Sequence, residues 1–66
     1  MTRAEIQKSL ERHTKGAACI GLKELCDWLG VANQTRVKKK YLNDLEYVSG
    51  KKYFIPEVAK NIWERR

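Results

Sequence analysis

Apolar residues of this 66-residue chain recur at helical spacing, and the first stripe is thin. It consists of Ile6 and Leu10, which lie four residues apart. Thr2 and Glu5 precede it with the Thr-x-x-Glu spacing of a capping box, in which the hydroxyl and the carboxylate bond the first free amides of a helix. We therefore predict a helix over residues 2–14.

The next stretch combines a connector with a second helix. Gly16 is expected to end the first helix, and residues 17–20 are expected to form an extended connector that buries Ile20. A second helix then begins near Gly21. Its apolar positions repeat at i, i+3, i+4 and i+7, which places them on one face: Leu22, Leu25, Cys26 and Leu29. Gly30 stands where a helix ends in a left-handed residue.

A third helix is predicted from the N-cap residue Asn33 to about Asp44 or Glu46. Its inner face has apolar residues at a spacing of four: Val37, Tyr41 and Leu45. At about 100° per residue, the residues roughly opposite that face are Thr35, Arg36, Lys39 and Asn43, with Lys38 and Lys40 beside them. One side of this helix thus packs, and the other offers cations, an amide and a hydroxyl to a partner.

Two β-prone runs around Ser49-Gly50 predict a short hairpin over residues 47–55, with Tyr47 and Tyr53 paired across it. Pro56 ends the second strand and suits the first turn of a final helix, 56–65, because its missing N–H costs nothing there. The aromatic residues are expected to pack in the core or against the hairpin rather than to stack on bases: Trp28, Trp63, Tyr53 and Phe54.

Sixty-six residues form one domain, 1–66, with a core too small to wall a deep substrate cleft. The sequence has no phosphate-binding loop, nucleophile motif or paired catalytic carboxylates, so neither an enzyme nor a cofactor is predicted. No apolar stretch has the length of a membrane span and no signal peptide begins the chain, which favours the cytoplasm. Cys19 and Cys26 are expected to stay reduced, with Cys26 packing as a small hydrophobic residue. With the single His13 they lack the spacing of a zinc site.

The net charge is +6, and its distribution is more informative than its sum. Residues 36–52 hold six Lys and Arg against two acidic residues, so two-thirds of the excess charge lies in about a quarter of the chain. Positive charge at this density favours phosphates, because phosphate contacts release condensed counterions. Double-stranded DNA is the predicted partner, and the protein is expected to be nucleoid-associated when bound.

The order of the predicted elements indicates how the protein would dock onto a DNA duplex. Residues 21–46 form a helix, a tight turn containing Gly30 and a basic helix, which is the arrangement of a helix-turn-helix that inserts its second helix into the major groove. A generic pair of helices has the same apolar pattern but does not require a basic outer face. The hairpin over 47–55 adds Lys51 and Lys52, where a wing would lie against a phosphate ridge or the minor groove.

Two segments resemble the winged-helix domains of excisionase-like and MerR-like proteins. Residues 22–31, LKELCDWLGV, are similar to their opening helix and Leu-Gly-Val turn, and residues 49–58, SGKKYFIPEV, are similar to their wing and the helix after it. The likeness covers about residues 20–64. It departs at residues 32–37, ANQTRV, where that family usually has Ser and then Thr-Val, so the turn is one residue longer or the cap is shifted, which moves the third helix by about one residue. The resemblance implies a mainly helical winged helix-turn-helix with about four helices and a two-stranded wing between helices 3 and 4.

Within that fold, side-chain chemistry divides the basic region into two sets. Arg and Lys bond guanine O6 and N7, and Asn bonds adenine, which favours base contacts by Arg36, Lys39 and Asn43. Gln34 and Thr35 lie at the helix start and are expected to contact phosphate or base. Phosphate contacts, which position a protein without specifying sequence, are expected from Lys38, Lys40, Lys51 and Lys52.

Three functions remain open. The resemblance implies an excisionase (a recombination directionality factor) of a phage or integrative mobile element, which binds DNA in several adjacent copies and assists an integrase by bending the duplex. A small transcriptional regulator of the same fold is the alternative, although a MerR-type regulator would need a coiled-coil helix beyond this domain. A protein-interaction module would instead use the basic face on an acidic partner.

Overall fold

The computed structural model describes residues 2–65, which fold mainly into helices with one two-stranded antiparallel sheet. Both features agree with the fold class predicted from the sequence. Along the chain the elements are α1 (Arg3–His13), β1 (Cys19–Gly21), α2 (Leu22–Leu29), α3 (Gln34–Val37), a π-helical segment that continues it (Lys38–Leu42), β2 (Lys52–Phe54) and α4 (Ile55–Arg65). We refer to residues 34–42 as helix 3.

The first helix, α1, forms where its capping box predicts. The Thr2 amide donates to Glu5 Oε1 at 3.0 Å, and the Glu5 amide donates to Thr2 Oγ1 at 3.2 Å. The helix ends at His13, and Lys15 and Gly16 after it have φ of 58° and 86°. The chain therefore leaves α1 through left-handed residues, as the predicted glycine stop requires.

Strand β1 and helix α2 follow each other without a loop. Ile20, at the centre of β1, is fully buried, and Gly21 is both the last strand residue and the N-cap of α2. Gly30 ends α2 with a φ of 74°, and the amide of Val31 donates to the carbonyl of Cys26 at 3.1 Å. The predicted connector, helix start and glycine stop are confirmed.

The strand pairing differs from the predicted hairpin. Strand β2 pairs with β1, and the central pair joins Ile20 to Tyr53, which are both buried. Of the predicted hairpin, the bridge between Ser49 and Lys52 remains, together with a hydrogen bond from the Val48 amide to the Lys52 carbonyl at 2.9 Å. Burial explains the pairing with β1, because Ile20 and Tyr53 meet inside the core, whereas the side chains of residues 47–48 are exposed and gain little from a longer hairpin.

Helix 3 ends earlier and has a different register than predicted. It ends at Leu42 rather than at Asp44 or Glu46. A π-helix bonds residue i to residue i+5, so the next buried residue after Val37 is Leu42 rather than the residue at i+4. The two other residues predicted for the inner face are half-buried against the core: Tyr41 and Leu45.

The core lies between the sheet and the helices. Helix α1 packs along α4, the start of helix 3 packs on α2, and the π-helical segment packs on α4. The buried apolar residues form one cluster: Ile6, Leu10, Ile20, Leu25, Cys26, Val37, Leu42, Tyr53, Ile55, Val58, Ala59 and Ile62. Cys26 is thus a core residue as predicted, and its burial raises the pKa of its thiol.

The aromatic residues divide between the core and the surface. Tyr53 is buried, and Trp28 is half-buried with its Nε1 donating to Ser9 Oγ at 2.8 Å, in keeping with the predicted packing role. Phe54 and Trp63 are 39% and 42% exposed, so neither is a core residue. The strand accounts for Phe54, because successive side chains of a strand point to opposite faces and Tyr53 occupies the inner one.

Candidate nucleic-acid interface

Helix 3 is held at its start by its own cap and along its length by two other helices. Asn33 is the N-cap, and its Oδ1 accepts a hydrogen bond from the Arg36 amide at 3.1 Å, as predicted. Val37 and Leu42 are the buried residues of the helix, Tyr41 is half-buried, and all the other side chains are exposed. The helix therefore leaves its polar side chains accessible on the surface.

One side of helix 3 forms an open groove with the start of α2. The groove has a volume of about 630 Å³. We call it the amide groove, and its lining residues are Leu22, Gln34, Thr35, Lys38, Lys39 and Asn43. It combines two amides, a hydroxyl and two ammonium groups with one apolar side chain. Five of the nine predicted DNA contacts are brought together here.

Arg36 and Lys40 lie on a different side of helix 3. They line a smaller groove of about 210 Å³, which we call the tyrosine groove: Val31, Arg36, Val37, Lys40 and Tyr41. Lys40 Nζ lies 5.2 Å from the centroid of the Tyr41 ring, within the range of a cation–π contact. Arg36 and Lys40 are four residues apart and share one side of the helix, whereas Lys39 lines the amide groove.

The two remaining predicted contacts, Lys51 and Lys52, belong to a tight turn. The Lys52 amide donates to the Ser49 carbonyl at 2.8 Å, and between them Gly50 and Lys51 have positive φ, 49° and 62°. Positive φ at both central positions is the geometry of a type I′ turn. Both lysine side chains are exposed. We call residues 49–52 the basic turn.

An aromatic contact joins the segment before the basic turn to the sheet. The ring centroids of Tyr47 and Tyr53 are 5.1 Å apart, so the predicted pairing of these rings is confirmed. Burial, and then the neighbouring Tyr47 hydroxyl, raise the pKa of Tyr53. Because Tyr53 is part of both the sheet and the core, this contact fixes the direction from which the chain enters the basic turn.

Two side chains of α4, Asn61 and Arg65, form hydrogen bonds with the end of helix 3 and with Asp44, which follows it. We call these three residues the Asp44 cluster. Buried Asn61 donates from Nδ2 to the Tyr41 carbonyl at 2.8 Å and to Asp44 Oδ1 at 3.1 Å. Arg65 Nη1 donates to the carbonyls of Lys40 and Tyr41, at 3.3 and 3.4 Å, and Arg65 Nη2 lies 2.9 Å from Asp44 Oδ2. These donors satisfy carbonyls that have no partner within the helix.

The sequence does not predict the Asp44 cluster. From the sequence, Asp44 is expected to lie at the end of helix 3, and Arg65 is expected to interact with the C-terminal dipole of α4. The hydrogen bonds and charge of Arg65 hold the pKa of Asp44 below its ordinary value. The available signal was Asn61, a single polar residue beside the apolar face of the last helix. A buried asparagine needs hydrogen-bond partners, which indicates a tertiary contact at that position.

The cations of both grooves and of the basic turn are not neutralised by carboxylates. Within residues 2–65 one ion pair is present, and it joins Arg65 to Asp44. None of the six Lys and Arg between positions 36 and 52 forms an ion pair there. Unpaired positive charge on an exposed surface attracts polyanions and retains the capacity to release their counterions. The electrostatics therefore favour a phosphate-bearing partner.

Other chemistries find less support in the described part of the chain. Residues 2–65 contain no group of three His, Cys, Asp or Glu side chains that could hold a metal ion. None of the helices described there is long and apolar enough to cross a bilayer. No family model, curated protein or solved structure matches this chain. The chemistry of the two grooves and the basic turn is what indicates a function.

Proposed function

We propose that the chain is a double-stranded DNA-binding protein of the winged helix-turn-helix type. Helix 3 enters the major groove, α2 braces it, and the basic turn lies on a phosphate ridge or in the minor groove. The observation that carries this proposal is the amide groove, where exposed lysines, amides and a hydroxyl share one side of a helix that two others hold. These groups are the ones that contact base edges and phosphates in protein–DNA complexes.

The π-helical segment supports the same proposal. Such segments are rare and occur frequently at functional sites. Here the segment carries Lys38, Lys39 and Lys40, which are all exposed. Two of these lysines, Lys38 and Lys39, line the amide groove, and Lys40 lines the tyrosine groove.

The two grooves separate the proposed base contacts from the proposed phosphate contacts. Residues of the amide groove meet the base edges, with its lysines near enough to serve phosphates as well. Arg36 and Lys40, in the tyrosine groove, contact the phosphates that flank helix 3, so Arg36 moves from the base-contacting set to the phosphate-contacting set. Lys51 and Lys52 contact phosphates through the basic turn.

The resemblance to excisionase-like domains makes excision of a mobile element, together with an integrase, the first biological role to test. Regulation of transcription is the second. Both roles require sequence-specific binding to a duplex, whereas a module for an acidic protein partner does not. Binding to DNA is therefore the experiment that separates these classes.

The first experiment measures the Kd of the full chain for random-sequence duplexes and for duplexes selected from a random library. Lys39→Ala is expected to weaken binding to a selected duplex by about 1–3 kcal/mol, roughly five- to 150-fold, because it removes a base-edge contact. Lys8→Ala is the matched control, since it removes one exposed lysine from α1 instead. Equal Kd values for all duplexes would overturn the proposal and leave the protein-interaction module.

The second experiment tests the basic turn with two lysines in the same backbone conformation. Lys51 and Lys15 are both exposed and have φ of 62° and 58°, so glycine replaces either without strain. Lys51→Gly is expected to weaken selected and random duplexes alike and to reduce the slope of log K against log salt by about one. Lys15→Gly loses the same charge at the end of α1 and is expected to leave that slope unchanged. A similar slope change in both variants contradicts a specific role for the turn.

A further inference from the structure

One residue of the amide groove is not explained by attraction to phosphates. Leu22, the first residue of α2, is half-buried, packs against the core and also lines the groove. All the other lining residues are polar or charged. Core packing accounts for one side of Leu22, and an aliphatic side chain offers nothing to a phosphate, so the side that lines the groove suits an apolar feature on the partner.

The major groove of DNA has one such feature, the C5 methyl group of thymine. Apolar side chains contact that methyl group, and Asn or Gln bonds N6 and N7 of the adenine paired with it. The amide groove contains both kinds of group, with Leu22 beside the amides of Gln34 and Asn43. The arginine of helix 3, Arg36, which would bond guanine, lies in the tyrosine groove instead, and the amide groove keeps two lysines for contacts beside the adenine–thymine pairs.

We propose that the amide groove recognises adenine–thymine pairs, with Leu22 contacting a thymine methyl group and the amides contacting adenine. This inference rests on the DNA-binding function proposed above and names the bases on which it acts. Gln34 and Asn43 are nine positions apart, roughly 14 Å along an α-helix, which is several base-pair steps of about 3.4 Å, so the two amides serve different base pairs. Leu22 gives α2, the bracing helix, a direct part in specificity.

The test removes the methyl group from the DNA rather than a side chain from the protein. In the duplex that the full chain prefers, deoxyuridine replaces thymidine at one position at a time, which deletes the C5 methyl group alone. At one position this exchange is expected to raise the Kd about fourfold, which is the effect of exposing one buried methyl-sized group. The other thymidines of the duplex serve as internal controls.

Substitution of Leu22 then assigns the contact to a side chain. Leu22→Ala is expected to give equal Kd values for the thymidine and deoxyuridine duplexes. Val31→Ala is the matched control, because Val31 is aliphatic, 39% exposed and next to helix 3 but lines the tyrosine groove; it is expected to keep the fourfold ratio. Each ratio is measured within one variant, so a change in stability cancels, and Leu22→Gln replaces Leu22→Ala if the alanine variant does not fold.

The outcomes separate the inference from the function on which it rests. A fourfold ratio that Leu22→Ala abolishes and Val31→Ala retains supports the thymine contact. A wild-type chain without any preferred duplex overturns DNA recognition itself. A preferred duplex that tolerates every deoxyuridine, or that loses the same affinity in the wild type and in Leu22→Ala, overturns the thymine contact alone.

Discussion

The two halves of helix 3 differ in what determines their geometry. The first half, Gln34–Val37, is α-helical, starts at its own N-cap and buries Val37, as the spacing of its residues predicts. The second half, Lys38–Leu42, is π-helical, and side chains 20 to 25 residues later in the chain bond its carbonyls. Neighbours in sequence account for the first half, whereas α4 accounts for the second.

This difference matters because the second half carries most of the cations. A cap acts on amides within one turn of the helix, so its effect can be predicted from sequence. The backbone that carries Lys38 and Lys39 instead packs on α4, and the groove they line also needs Leu22 of α2. The amide groove is therefore a product of tertiary structure, although every residue in it was visible as a polar or apolar position in the sequence.

The largest expected effect tests which residue of the second half, Leu42 or Tyr41, packs in the core. Leu42 is 1% exposed and Tyr41 is half-buried. Leu42→Ala is expected to lower the free energy of unfolding by about 2–5 kcal/mol, because it leaves a cavity. Tyr41→Ala is expected to lower it by roughly 1–2 kcal/mol, since part of that side chain remains in water.

Urea denaturation of both variants measures these differences. A larger loss for Tyr41→Ala than for Leu42→Ala would show that an uninterrupted α-helical register, with Val37 and Tyr41 as its buried pair, describes the protein in solution.

The sequence predicts the ends of those helices that begin or end at a local capping signal. A capping box begins α1, Gly30 ends α2, and Asn33 caps helix 3, and each of these signals acts within one turn. Local signals of this kind could not predict that β2 pairs with β1. Strand β1 is three residues long, so no alternation was visible, and only the burial of Ile20 in the folded chain makes it the preferred neighbour.

The candidate site was predictable in composition but not in arrangement. All nine residues proposed from the sequence are exposed, yet they separate into two grooves and a turn. The helical wheel places successive inner positions four residues apart, whereas the buried residues Val37 and Leu42 are five apart. Leu22 was assigned to the inner face of α2, and its place in the amide groove depends on how α2 packs beside helix 3.

Removing the amide that supports the second half is expected to have the next largest effect. Asn61 is 5% exposed and donates to the Tyr41 carbonyl and to Asp44. Asn61→Ala is expected to lower the free energy of unfolding by about 1–3 kcal/mol, because the part-buried Tyr41 carbonyl loses a donor. Thermal and urea unfolding measure this change, and Lys60→Ala, at the exposed neighbouring position of α4, is the control. Equal stability of Asn61→Ala and Lys60→Ala would contradict a structural role for the amide.

Removing the cap of the first half is expected to have a smaller effect. The Asn33 side chain accepts one hydrogen bond, from the Arg36 amide at 3.1 Å. Asn33→Ala is expected to lower the free energy of unfolding by about 1 kcal/mol, whereas Asn33→Asp keeps an acceptor and is expected to be close to the wild type. Urea denaturation distinguishes the two. If both variants lose the same stability, the cap does not determine where helix 3 begins.

The smallest effect is expected from the charge of Asp44, and its signature is a dependence on pH. Arg65 lowers the pKa of Asp44 from its ordinary value of 3.8, so the ionised carboxylate is favoured in the folded chain. A carboxyl group with a depressed pKa contributes stability above its unfolded value and loses that contribution as the pH falls through its folded value. The difference in Tm between the wild type and Asp44→Asn is therefore expected to be constant from about pH 7 to pH 5 and to close below about pH 4.

The partner residue provides the control for this pH dependence. In an Arg65→Gln background, the same Asp44→Asn comparison is expected to show a much weaker dependence on pH, because the guanidinium that favours the carboxylate is gone. Both groups are at least one-third exposed, so added salt is expected to reduce the wild-type effect. A Tm difference that stays constant down to about pH 2.5, well below the ordinary carboxyl pKa, would mean that the second half of helix 3 is held by the neutral hydrogen bonds of Asn61 and not by the ion pair.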